Sequence, residues 1–284
     1  SVVRAAVLGV TIALAALARD ELSLLFIFIL IPMVLFAKEQ AWRKRILMLL
    51  AGGLAAAVLV GPWIGYNMSR FKDPVFISDG LGVTLASANC HDTFYGQYIG
   101  YWSFACAVAT PINPHVDESV QGAEAQTYAL HYIRTHKNRL VAVEAARLGR
   151  AFAFFSPIQQ IQLDADVETR PYRWALVGLG MYYALFALSI GGAVVLRRRK
   201  VPIYPLLAIG LNVALSVMVT FGDTRYRSPF EITLVVLAAV QLDWIWGKVR
   251  RSPRGPSDLE QSPVPEPLDA EQPSDAVLPT PAGR

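Results

Sequence analysis

Two short polar stretches place arginine immediately ahead of an apolar run: GDTRYRSP at residues 222 to 229, and ALARDEL at 16 to 22. In the first, Gly222 reads as the stop of a preceding helix. SPFE at 228 to 231 reads as a capping box, with Ser228 as N-cap, Pro229 at N1 and Glu231 at N3. Arg225, Tyr226 and Arg227 therefore precede a helix start, where free N–H groups and the positive dipole end favour an anion. The guanidinium fork matches phosphate oxygens, and each charge-assisted bond contributes about 1.5 to 3 kcal/mol. In the second stretch Arg19 leads with Asp20 as a plausible N-cap and Glu21 beside it. The two starts can converge on one phosphate. The plainer alternative pairs these arginines with Asp223, Glu231, Asp20 or Glu21, or lets them reach lipid headgroups.

Other candidates are weaker. Cys90 and Cys106 are expected to form a disulfide if their segment faces an oxidising compartment, with two buried thiols as the alternative. Adjacent Cys and His in NCHD (89 to 92) make a poor zinc site, because their side chains diverge and no second ligand pair follows at metal spacing. The four histidines are scattered, and neither a P-loop nor a Ser-His-Asp pattern is present. Asn212, inside an apolar run, reads as hydrogen-bonding glue between helices.

The elements that position these residues are membrane spans. Of 284 residues, 54% are hydrophobic and 17% charged, and the mean hydropathy is +0.38, well above an ordinary soluble domain. Apolar blocks near 3 to 18, 22 to 37, 46 to 63, 174 to 196, 202 to 221 and 229 to 246 approach the length that crosses about 30 Å of hydrocarbon at about 1.5 Å per residue. A signal peptide competes for the first block, but Arg19, Asp20 and Glu21 lead straight into another span. Basic clusters at 38 to 45, 197 to 200 and 248 to 254 alternate with the other connections, so both chain ends are expected in the cytoplasm. GDTRYRSP then faces outward, where topology gives no reason for arginine. The net charge of +4 reflects orientation, and nothing suggests a nucleic-acid partner.

The expected fold is an α-helical integral membrane protein with about six transmembrane helices, one mainly helical extracytoplasmic domain and a disordered C-terminal tail. Its parts are 1–63 (three spans), 64–173 (outer domain), 174–247 (three spans) and 248–284 (tail). Within the outer domain, PVFISDGLGVTLASANC suggests a short strand or extended piece and a turn, with Gly80 and Gly82 as turn formers, and 117 to 136 a helix. A second helix over 139 to 155, ended by Pro157, has Arg147 and Arg150 on one side and suits the bilayer surface. The tail, rich in Pro, Ser, Asp and Glu and without aromatics, cannot bury enough apolar surface to order itself.

ALARDELSLLF, PWIGYNMSRFKDPVFISDGLGVTLASANCHDTFYGQYIGYWSFAC, HYIRTHKNRL, ARLGR, LRRRK and GDTRYRSPFEI together resemble the C-terminal half of actinobacterial GT-C membrane glycosyltransferases. These are of the dolichyl-phosphate-mannose protein mannosyltransferase and lipid A aminoarabinose transferase type, like glycosyltransferase family 39. The resemblance spans nearly all of residues 1 to 250. It implies transfer of a sugar from a polyprenyl-phosphate donor to a glycan, lipid or protein acceptor on the extracytoplasmic side of the cell membrane. Arg225 and Arg227, with Tyr226 between them, match the basic pair before the last helices. Arg19 with Glu21 matches an Arg-x-Glu-like element, and both would touch the donor phosphate. The family's catalytic carboxylate belongs to a long first outer loop that has no counterpart here. The resemblance therefore implies a catalytic residue outside this sequence, a chain inactive alone, and no cofactor within it, any divalent metal belonging to the preceding half. A transporter or flippase half for an anionic lipid or sugar is the alternative, as is a non-catalytic scaffold. Transporters carry ionisable groups near the midplane, whereas Asn212 is the polar residue deep in the last three spans.

Overall fold

The computed structural model describes residues 1–37 and 39–250; Lys38 and residues 251–284, hence most of the expected tail, lie outside the described residues. The described residues are helical throughout, with no strand among them. One compact unit runs from Ser1 to Trp244, and the described residues from Ile245 to Arg250 fall outside it.

The described residues contain twelve α-helices in order: α1 (Val2–Ala18), α2 (Ile31–Leu35), α3 (Trp42–Arg70), α4 (Leu81–Ala88), α5 (His91–Phe94), α6 (Phe104–Ala109), α7 (Glu118–Thr135), α8 (Leu140–Ala151), α9 (Pro157–Glu168), α10 (Tyr172–Arg198), α11 (Tyr204–Val219) and α12 (Ser228–Arg250). Among the described residues, three segments are long and apolar enough to cross a membrane: α3, α10, and α12 together with the turn that leads into it, Thr224–Arg250. At most 22% of each apolar window is buried within the protein, so most of that surface requires a hydrocarbon solvent. They mark a multi-pass membrane protein. The helix α12 runs on through Lys248 to Arg250, so the tail does not begin at 248.

The other expected spans are shorter. α1 has 17 residues and α11 has 16. The second expected span is not one α-helix: it is a 3₁₀ turn (Asp20–Leu24), a π turn (Phe26–Leu30) and then α2. Pro32 supplies the reason for the break ahead of α2. It has no N–H to offer the carbonyl four residues back, and that carbonyl, Phe28, accepts instead from the hydroxyl of Tyr204 at 2.7 Å. The segment packs with α1 and α3 around Leu22, Leu25, Leu30 and Met48. α1 and α3 meet at small residues, and a Cβ on Gly9 would stand 2.8 Å from the Cα of Gly52. Asn212 is fully buried in α11, and among the described residues its side-chain amide has no hydrogen-bond partner, so it does not bridge helices as expected.

Residues 71–171, between α3 and α10, make up the segment expected as the outer domain and are called by that name. Over 74 to 90 no strand forms: residues 74–80 are non-helical chain, and where the turn was expected α4 begins, with Gly82 letting it pack backbone to backbone against Gly122 of α7. Tertiary contact overrides the preference of Val83 and Thr84 for extended backbone. α7 matches the expected helix, started by Asp117, whose carboxylate accepts from Ser119 N. Cys90 and Cys106 form a disulfide, with Cα atoms 6.1 Å apart. Trp63 Nε1 and Asn67 Nδ2 of α3 donate to the carbonyls of Ile77 and Phe76, tying the start of the domain to the span beneath.

The helix expected on the bilayer surface is instead the centre of this domain. α8 stops at Ala151, and Pro157 begins α9. Arg147 and Arg150 are 1% and 0% exposed, the two largest side chains so deeply buried. Arg147 donates to Ala88 O, Asn89 Oδ1, Met218 O and Glu144 Oε1. Arg150 donates to the carbonyls of Gln97 and Ile99 and to the side chains of Gln159 and Gln160. Helical periodicity shows which residues share a face, but not that carbonyls wait to receive that face.

Candidate functional site

All five residues singled out as phosphate ligands, Arg19, Glu21, Arg225, Tyr226 and Arg227, line one cavity of about 750 Å³. It lies between the end of α1, the 3₁₀ turn after it, the turn before α12, and Ile77, Ser78 and Arg170 of the outer domain. Residues about 200 positions apart meet directly: Arg19 Nη1 donates to Arg225 O at 3.1 Å and to Ser228 Oγ at 3.2 Å. The Arg19 guanidinium also lies 5.1 Å from the ring centre of Tyr226.

Local chemistry differs from the expected caps. α12 does not begin at a Ser228 capping box, because a 3₁₀ turn, Thr224–Arg227, runs straight into it. The N-cap is Asp223, whose Oδ1 accepts from Arg225 N at 3.0 Å. Ser228 Oγ donates back to Arg225 O at 2.9 Å, and Glu231 pairs with Arg227 rather than with a cap. Gly222 is not a helix stop either: α11 ends at Val219, and Gly222 is needed because a Cβ there would meet the backbone of Arg147, 2.7 Å from its Cα. Asp20 lies inside the 3₁₀ turn, which Arg19 precedes, and its Oδ1 accepts from Glu21 N.

The three arginines are held differently. Arg227 is nearly buried: its Nε donates to Glu231 Oε1 at 2.8 Å, its Nη1 to Ala151 O, and its guanidinium stacks 3.6 Å from the ring centre of Tyr182. Arg19, 28% exposed, pairs with Glu21 through Nε at 2.7 Å. Arg225 is 50% exposed, and its carboxylate partners Glu168 and Asp223 stand at 3.8 and 3.9 Å, outside hydrogen-bond length. It is the most accessible of the three to a ligand.

The Asp223 carboxyl behind Arg225 is shifted upward. Burial pushes Asp223 up to about 6, with Asp164 and Glu168 adding to the effect and the Arg225 N–H opposing it. Partial protonation of Asp223 leaves more positive potential beside Arg225.

Arg170 also lines the cavity, paired to Glu168 at 2.5 Å, and was not anticipated. A signal was present: it directly precedes Pro171, the N-cap of α10, as Arg227 precedes Ser228-Pro229. A second cavity of about 810 Å³ shares Asp20, Glu21, Ile77, Ser78 and Tyr226 with the first and extends between the 73–84 stretch, α7 and α11. No group of three or more His, Cys, Asp or Glu among the described residues is placed to hold a metal ion. No protein-family model, curated protein or solved structure matches this chain.

Proposed function

We propose that this chain is part of a membrane glycosyltransferase that takes a sugar from a polyprenyl-phosphate donor, and that the Arg19–Arg225 cavity binds the lipid phosphate. The observation that carries this reading is the meeting of two arginine-led turns, 206 positions apart, on one cavity where membrane helices meet the outer domain. Arg19 and Arg225 contact the phosphate, while Arg227, committed to Glu231 and Tyr182, fixes the start of α12. As the glycosidic bond breaks, charge grows on the departing phosphate, and guanidinium groups already in place stabilise it without reorganisation.

Membrane orientation fits the same reading. α1, the segment 20 to 35 and α11 serve as three shorter spans beside the three long ones, giving six crossings. Arg43, Lys44 and Arg45 lie in the first turn of α3, and Arg197 and Arg198 end α10 with Arg199 and Lys200 just after, both away from the outer domain. Retention of those clusters in the cytoplasm puts residues 71–171 and the disulfide outside. Membrane lipids surround the spans, and the acceptor approaches from the outer side, where the second cavity opens onto the first.

A transporter of anionic lipids is the second reading, favoured by the broken helical segment at 20 to 35 beside the cavity. Sugar transfer from a polyprenyl-phosphate donor, measured in membranes carrying the intact protein, separates the two. Replacing Arg19 and Arg225 together by Ala should abolish transfer while insertion persists. Unchanged transfer removes the proposed role, and movement of the lipid phosphate across vesicles without sugar transfer supports the transporter.

A further inference from the structure

The backbone leading into Arg225 is held by one loop of the outer domain, besides α8, α9 and Arg19. That loop, closed by the Cys90–Cys106 disulfide, presents three consecutive residues to the link before α12. Gly100 O accepts from Gly222 N at 2.8 Å. The rings of Tyr101 and Trp102 each lie 6.3 Å from that of Phe221, which is only 4% exposed. Phe221 in turn faces the Arg225 guanidinium, 5.7 Å from its ring centre, with Tyr226 at the same distance.

The same loop is seated on Arg147. Gly100 has φ +76°, and a Cβ there would stand 2.7 Å from Arg147 N, while Gly222 abuts the Arg147 backbone from its own strand of chain. The Arg147 side chain then ties Ala88 and Asn89, next to Cys90, to Met218 at the end of α11. Three segments close on one point with no room for an added carbon, so movement of the loop must move Phe221 and Gly222.

Arg225 has no short carboxylate partner to orient it. A long guanidinium side chain free to rotate loses rotamer entropy on binding, and an aromatic face that already restricts it lowers that cost. We propose that the Cys90–Cys106 loop is a positioning element for Arg225, acting through Phe221 and Gly222, with Gly100 and Trp102 as its positioning residues. The role rests on the reading that Arg225 binds a lipid phosphate.

A double-mutant cycle separates positioning from general support of the fold. The probe is decaprenyl phosphate, titrated onto the full chain in lipid nanodiscs. Trp102→Leu, which leaves the tight Gly100 junction intact, and the Cys90→Ser/Cys106→Ser pair are each measured with Arg225 present and in an Arg225→Ala background. Each should weaken binding about tenfold when Arg225 is present and less than about twofold when it is absent. Equal losses in both backgrounds, or no loss with Arg225 present, overturn the positioning role. If Arg225→Ala alone leaves affinity unchanged, the phosphate reading itself fails. Should the cysteine variant not fold, reduction of the purified protein with dithiothreitol gives the same comparison.

Discussion

Arginine does opposite things in two neighbouring parts of this molecule. In α8, Arg147 and Arg150 are buried, and most of their N–H groups donate to carbonyls and amides of the outer domain and, for Arg147, to Met218 O of α11. At the cavity, Arg19 and Arg225 remain partly exposed, and Arg225 keeps its carboxylates at arm's length. Burial pulls the Arg150 guanidinium down to about 10, still charged at neutral pH, so its charge serves to hold loops together. The difference teaches that an arginine's role follows from what already occupies its donors. Charge alone does not decide it.

Substitutions can sharpen or break that contrast. The largest effect is expected from Arg147→Ala, which strands buried acceptors around a cavity and should cost about 4 kcal/mol in unfolding measured by circular dichroism in detergent. A cost as small as that of an exposed residue would remove the structural role of α8. Breaking the Cys90–Cys106 disulfide should cost about 3 kcal/mol, given the short loop it closes. Reduction that left the melting temperature unchanged would contradict this.

Asp223 comes next. Its carboxyl is raised to about 6 by burial, so its contribution to stability is complete at low pH and is lost as pH rises through that value. Between about pH 4 and pH 6 the loss amounts to about 2 kcal/mol, and Asp223→Asn, which can still accept from Arg225 N, should flatten it. A pH profile identical in the variant would show that Asp223 is not the group responsible. Smallest of all, Arg225→Ala should change stability by no more than about 0.5 kcal/mol, as for other half-exposed ion pairs. A larger loss would place Arg225 with Arg147 among the structural arginines.

Much of this arrangement was legible in the sequence. Hydropathy and length located α3, α10 and α12, spacing located α7, and the two arginine-led turns do meet. The disulfide followed from compartment reasoning. What escaped depends on partners far away in sequence. Pro32 marks a break in the second span, but only the Tyr204 hydroxyl shows how the vacated Phe28 carbonyl is satisfied. Ser228 carries a capping box in its residues, yet Asp223 starts the turn five residues earlier because its carboxylate can reach Arg225 N. Gly82 and Gly222 look like turn formers, and their real constraint is a backbone pressed against them from another helix.

Decaprenyl phosphate binding to the intact chain in nanodiscs bears most directly on the cavity's role. Arg225→Ala should weaken it about 10- to 100-fold, the loss of one charge-assisted contact to phosphate, with the helical spectrum and melting temperature retained. Undiminished affinity in that variant, or in the Arg19→Ala/Arg225→Ala pair, would mean that the arginines at this cavity serve only the carboxylates beside them.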